Sequence, residues 1–267
     1  MKTILSIANT TIGEAVRRKV LLVILLIAVL FLAIAPGLSI LSARQERTVL
    51  IGMTLGIIQL ASALIAIVLT VYLIPNEIER RTIYTILSKP VERYQFLIGK
   101  YLGAVGALGI MIALMTAVLI AVFFVTFRVR DQVVGIDQLA MLARAPLMFF
   151  VQMSILAAVV VFFSTFVTPL VNFFLSGGVY LVGSMFNPFF ETISQDQGVA
   201  PIAKTIATIL NTILPNFANY NVQNPIINPG QQIANETAYY LVSTGYGIVY
   251  ISALLLLAIL VFQYREV

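Results

Sequence analysis

The chain has 267 residues, of which 60% are apolar and only 10% charged, with a formal net charge of +5. A soluble domain carries about 25% charged residues, so this composition excludes a soluble fold and places the chain in a membrane. With no Cys and no His, it also lacks thiolate nucleophiles, disulfides, His-ligated haem and ordinary zinc sites.

The first element, Ile4 to Lys19, reads as an amphipathic helix lying on the membrane face rather than a cleavable signal. Ile4, Ala8, Ile12, Ala15 and Val16 recur at helical spacing ahead of the basic cluster Arg17–Lys19. Charge-free runs follow at residues 20–43, 48–76, 101–127, 145–190 and 237–264. A crossing takes about 20 apolar residues, so four of these runs fit one helix each. The run 145–190 fits two, with a turn near Ser164–Asn172 where Pro169 interrupts a continuous helix. The expected fold is all-α and polytopic, because hydrocarbon demands that every backbone amide be paired within the span. Six transmembrane helices are predicted at about 20–41, 50–74, 98–126, 146–166, 170–189 and 242–263, in a single domain covering 1–267.

An even span count puts both termini on one side. If that side is the cytoplasm, the inner segments hold Lys2, Arg17, Arg18, Lys19, Arg80, Arg81, Lys89, Arg93, Lys100 and Arg265. The outer segments hold Arg44, Arg47, Arg128, Arg130, Arg144 and Lys204. Ten basic residues against six favour cytoplasmic termini. The long loop 191–240 then faces outward. Its stripe of Ile202, Ile206, Ile209, Leu210, Ile213 and Leu214 predicts an interfacial helix, not a seventh span. The stretch Leu214–Thr237, rich in Asn, Pro and Gly, reads as irregular loop ending in the glycosylation sequon Asn235-Glu236-Thr237.

Two patterns lie within the spans. Gly52-x-x-x-Gly56 and Gly99-x-x-x-Gly103, the latter continued by Gly106, permit close helix approach. Gln59, Ser62, Thr116, Gln152 and Asn172 are candidate pathway-lining residues, although interhelical hydrogen bonding accounts for them more simply. No charged residue lies well inside a span, which argues against a proton relay. There is no P-loop: Gly99-Lys100 is followed by Tyr101, and Tyr94 stands where the motif requires Gly.

The segment Ile74–Lys100 concentrates charge and carries Pro90 between two apolar runs. Asn76 can cap a helix whose first turn holds Glu77 and Glu79, favoured by the helix dipole. Ile83, Leu87, Val91 and Tyr94 make one face apolar, and Pro90 bends the segment. The spacing suits a groove in a partner and a membrane surface equally well. The pattern E-x-E-R-x-T-x-x-x-x-L-S-K-P-V-x-R-x-x-F-L-x-G-K-Y-L-G, from Glu77 to Gly103, resembles the membrane subunits of type-2 ATP-binding-cassette (ABC) transporters. It is especially similar to the short permeases that include the nitrous-oxide-reductase maturation and gliding-motility exporters. Many relatives carry Gly where this chain has Arg81. The interfacial helix, the Leu214–Phe217 sequence "LPNF" and the tail "FQYREV" also fit, so the likeness covers nearly the whole chain, though only the coupling segment is specific.

The resemblance implies a non-catalytic permease in the inner (plasma) membrane, paired with a second permease copy, identical or different, and driven by cytoplasmic ATPase subunits. ATP and Mg would be bound by those subunits, and this chain would need no cofactor or metal. Residues 76–95 would be the cytoplasmic coupling helix, with Glu77, Glu79, Arg80, Arg81, Thr82, Ile83, Leu87, Pro90 and Arg93 docking on the ATPase. Membrane lipid and an extracytoplasmic accessory subunit are further expected partners; nucleic acid is not. A charge-poor pathway leans toward hydrophobic or amphiphilic cargo. A membrane scaffold for an ABC ATPase is the alternative, and a secondary transporter, which would show repeat symmetry or intramembrane charge, is a weaker one.

Overall fold

The computed structural model describes residues 2–40, 45–79, 92–129, 136–185, 192–193, 201–221 and 235–264. These residues form α1 (Lys2–Arg17), α2 (Lys19–Ser39), α3 (Glu46–Val71), α4 (Pro75–Glu79), α5 (Arg93–Val129), α6 (Ile136–Ser164), α7 (Pro169–Met185), α8 (Pro201–Ile213) and α9 (Glu236–Tyr264). A 3-10 turn, Ala218–Tyr220, lies between α8 and α9.

Five of the helices, α2, α3, α5, α6 and α9, are long and apolar enough to cross a membrane. α7 is equally apolar but has 17 residues, the short end of the usual ~17–25 range. α6 ends at Ser164 and α7 opens at Pro169. Proline is tolerated there because the first-turn amide has no partner in a helix anyway. α5, with 37 residues, is about 55 Å long at 1.5 Å per residue, far more than the hydrocarbon needs. Part of it therefore stands outside the membrane.

α3 and α6 form the centre. They pack on each other and are mostly buried, while α2, α5, α7 and α9 surround them and expose leucine, isoleucine and phenylalanine outward. A soluble protein would hide those side chains; here they are the surface that lipid covers. The central layer is sealed by Leu55, Ile58, Ile65, Phe149, Met153 and Leu156, all essentially without solvent exposure.

The bundle has two distinct ends. One gathers α1, the Arg18 corner, the α3–α4 junction, the start of α5, the α6–α7 turn and the last turn of α9. The other gathers the ends of α5 and α7, α8, the 3-10 turn and the start of α9. There Arg144 pairs with Glu236 at 2.6 Å and Arg47 sits over the rings of Phe123 and Phe127.

Candidate functional site

α1 is held by glycines. Its buried residues Ala8, Thr11 and Ala15 occupy one face, and its main contact is α5. A Cβ at Gly99 would lie 2.9 Å from the Ile7 Cβ; at Gly103, 2.5 Å from the Thr11 Cβ and 2.7 Å from the Ala8 carbonyl oxygen; at Gly106, 2.9 Å from the Ile12 Cδ1. The contacts advance in step along both helices, so α1 runs alongside α5 in the same direction. The three glycines are the seat of α1. The same spacing on α3 does something different: a Cβ at Gly56 would meet nothing within 4 Å, and Gly52 is half-buried on the same helix.

Beyond α1, the chain turns at Arg18 and a charged cluster forms. Lys100, one helical turn into α5 from Phe96, is almost fully buried, and its Nζ donates to the Glu77 Oε1 at 2.6 Å. The Glu14 carboxylate of α1 lies 3.7 Å from the same ammonium. A buried lysine is stable only when its charge is matched, and two carboxylates from two other helices match it. Thr11, Arg17, Arg18, Asn76 and these three residues line a pocket of about 450 Å³.

A second anchor sits at the far foot of the same segment. Arg93, the first residue of α5, donates through one guanidinium nitrogen to the carbonyl oxygens of Phe262 and Gln263, each at 3.2 Å. The last carbonyls of a helix have no partner within it and carry the negative end of its dipole, so an arginine is well placed there. Phe96 and Phe262 stack beside this contact at 6.5 Å. The chain is therefore tied to α1 and α5 just before residue 80, and to the end of α9 just after residue 91.

Of the residues expected to dock on a partner, Glu77 and Arg93 are turned onto the chain's own helices, to Lys100 and to α9. Glu79 ends α4. Arg80, Arg81, Thr82, Ile83, Leu87 and Pro90 lie outside the described residues.

The polar residues of the spans make hydrogen bonds within the bundle. Gln59 donates to Gln152 at 3.3 Å, and Gln152 donates to the Phe217 carbonyl at 3.2 Å. Asn172 donates to the Val160 carbonyl and accepts from Ser176, bracing the α6–α7 turn. Ser62 and Thr116 donate to the carbonyls of Ile58 and Ile112 in their own helices. Each of these polar side chains finds a partner, as the missing water requires.

Part of the stretch expected to be irregular loop is a buried structure. Phe217 and Tyr220 have no solvent exposure. The Phe217 amide donates to the Gly183 carbonyl, and the Tyr220 hydroxyl donates to the Ser243 carbonyl at 2.6 Å. Burial, assisted by the neighbouring Tyr246 and Tyr239 hydroxyls, pushes the Tyr220 phenol up, so it stays a donor at ordinary pH. A Cβ at Gly183 would lie 2.6 Å from the Pro215 carbonyl oxygen, and one at Gly247 3.0 Å from the Tyr220 hydroxyl. Two glycines thus admit the loop into the bundle. The signal in the sequence was the aromatic pair within a run of Asn and Pro.

Among the described residues, no three His, Cys, Asp or Glu side chains come together as metal ligands. The described residues thus make an all-helical bundle of membrane-crossing character with a paired charge cluster at one end. The family profile described as ABC-2 family transporter protein matches residues 5–267, and the chain belongs to that family. It is the membrane subunit of an ABC-2 type transporter, a non-catalytic component, and membership implies an ABC ATPase partner. No curated protein gives a significant match.

Proposed function

We propose that this chain is one of two permease subunits of an ATP-driven exporter, and that residues 76–95 form the coupling segment on which a cytoplasmic ATPase docks. The observation that carries the reading is the pair of feet: Glu77 on Lys100 and Arg93 on the end of α9 hold both ends of residues 80–91 on the helix bundle. In this reading Glu77 and Arg93 build the frame, while Arg80, Arg81, Thr82, Ile83, Leu87 and Pro90 meet the ATPase. ATP closing the ATPase dimer moves the segment, and the frame passes that motion to the helices as a rigid-body tilt.

The ten-to-six basic bias supports cytoplasmic termini. That topology needs α7 as a sixth crossing, for which its 17-residue length suffices if the bilayer thins locally. The Glu77–Gly103 pattern supports grouping with the nitrous-oxide-reductase maturation and gliding-motility type permeases. α8 then lies at the outer interface with Ile202, Ile206, Ile209 and Ile213 toward lipid, where an extracytoplasmic subunit can reach it.

The test is co-purification of the ATPase at equal membrane expression. Leu87→Asp places a charge in an apolar groove and is expected to release the ATPase. Arg128→Ala, on the exposed last turn of α5, is expected to retain it. Equal yields from the two variants would sink the assignment of the dock.

A further inference from the structure

We infer that the corner between α1 and α2 forms, with α3 and α7, a binding site for an anionic phospholipid. A groove of about 460 Å³ runs between the start of α2, the end of α3 and the start of α7. Its walls are apolar: Val68 and Val71 on one side, Leu170 and Phe173 on the other. Its rim is basic, formed by Arg18 and Lys19. Neither side chain has an ion-pair or hydrogen-bond partner among the described residues, and no acidic residue lines the groove. Arg17, one residue away, adds a third positive charge.

The level of the groove fixes the kind of occupant. Lys19 opens a 21-residue apolar helix, so the rim sits where hydrocarbon gives way to headgroups and the walls sit below it. An acyl chain fits the walls, and a phosphate fits the rim. A zwitterionic headgroup brings its own ammonium against Arg18 and Lys19, whereas a net anionic one does not. Each basic group at a membrane surface adds roughly a fivefold attraction for anionic lipid, so two give a preference of up to roughly thirtyfold. The inference does not depend on residues 76–95 docking an ATPase, nor on which leaflet is cytoplasmic.

The chain has no Trp, so a single introduced Trp is an unambiguous fluorescent probe. Phe173→Trp places it in the groove; Leu170→Trp, at a position 70% exposed, is a second probe tolerant of the change. Leu260→Trp, on the lipid-facing side of α9 at a similar distance from its helix end, reports ordinary boundary lipid. The protein is reconstituted in vesicles with brominated phosphatidylglycerol or brominated phosphatidylcholine. The expected result is several-fold stronger quenching by the brominated phosphatidylglycerol at the groove probes, little preference at Leu260→Trp, and loss of the groove preference in Arg18→Gln/Lys19→Gln. Folding of that variant is checked by unchanged quenching of the Leu260→Trp probe. Equal quenching by both lipids in the groove, the same preference at Leu260→Trp, or a preference that survives the double substitution would overturn the site. Absence of quenching by either lipid at both groove probes would also overturn it, because protein, such as a second copy of the chain, would then fill the groove.

Discussion

Gly103→Ala adds one methyl group to the tightest of the glycine contacts among the described residues. The new Cβ would lie 2.5 Å from the Thr11 Cβ and 2.7 Å from the Ala8 carbonyl oxygen. Cβ contacts below 3.0 Å do not occur in real proteins, so 3.0 − 2.5 leaves a deficit of 0.5 Å to relieve. A flexible side chain cannot yield it, because one obstacle is backbone. α1 must shift as a body, and it is already tight against Gly99 and Gly106. Overpacking of this kind costs about 1–3 kcal/mol, and rigid neighbours put it near the top of that range. The gain in helix propensity from Gly to Ala returns about 1 kcal/mol. The net expectation is a loss of about 2 kcal/mol. Gly56→Ala is the control: with open space at its Cβ, it keeps only the propensity term and is expected to be neutral or stabilising by up to ~1 kcal/mol. Thermal unfolding of the purified protein measures the difference. Lifting of α1 is read by thiol labelling of Ala8→Cys in the otherwise cysteine-free chain, since Ala8 is only 7% exposed. If Gly103→Ala unfolds no earlier than Gly56→Ala, and the Ala8→Cys thiol stays equally protected in both, α1 is not seated on these glycines.

Two further outcomes follow from the polar contacts. Lys100→Met strands the Glu77 carboxylate and is expected to cost about 3 kcal/mol, while Lys100→Met/Glu77→Gln recovers most of the loss in a double-mutant cycle. A cycle showing no coupling would mean the 2.6 Å contact does not persist in solution. Gln152→Leu removes the link between α3 and the Phe217 carbonyl and is expected to lower stability by about 1 kcal/mol, the usual scale for a hydrogen bond between membrane helices; unchanged unfolding would remove Gln152 from that role.

The membrane character was legible because uncompensated charge is what hydrocarbon tolerates least, so charge-free runs trace the long apolar helices directly. The partners of Lys100 were not. Glu14 and Glu77 come from helices remote in sequence, and nothing in the spacing of residues 14, 77 and 100 marks them as neighbours. The glycine pattern was readable only as a possibility of close approach. Gly56 and Gly103 sit in identical Gly-x-x-x-Gly contexts, yet one faces open space and the other the backbone of α1. A spacing rule describes one helix, whereas contact depends on what the second brings. Phe217 and Tyr220 show the converse: the loop was legible, its burial was not. Composition marked their surroundings as loop, but two ring systems in such a loop are large apolar area seeking burial, and Gly183 and Gly247 leave room for them.

The two feet of the proposed dock bear on how a push there would spread. A segment fixed at one end only would swing as a flap, and its motion would dissipate in the loop. Here the first foot is shared by α1 and α5 through Lys100, and the second joins α5 to α9 through Arg93 and the Phe96–Phe262 stack. Both feet include α5, and α1 rides on it through the glycine contacts. α5 also packs along α3 and α6, whose Gln59–Gln152 pair reaches the Phe217 carbonyl in the buried loop at the opposite end. Close-packed interiors have low compressibility and transmit strain. A displacement at the proposed dock would therefore favour a short tilt of the α5-centred group over local unwinding, and Gln152 is where such a tilt would first reach the buried loop around Phe217.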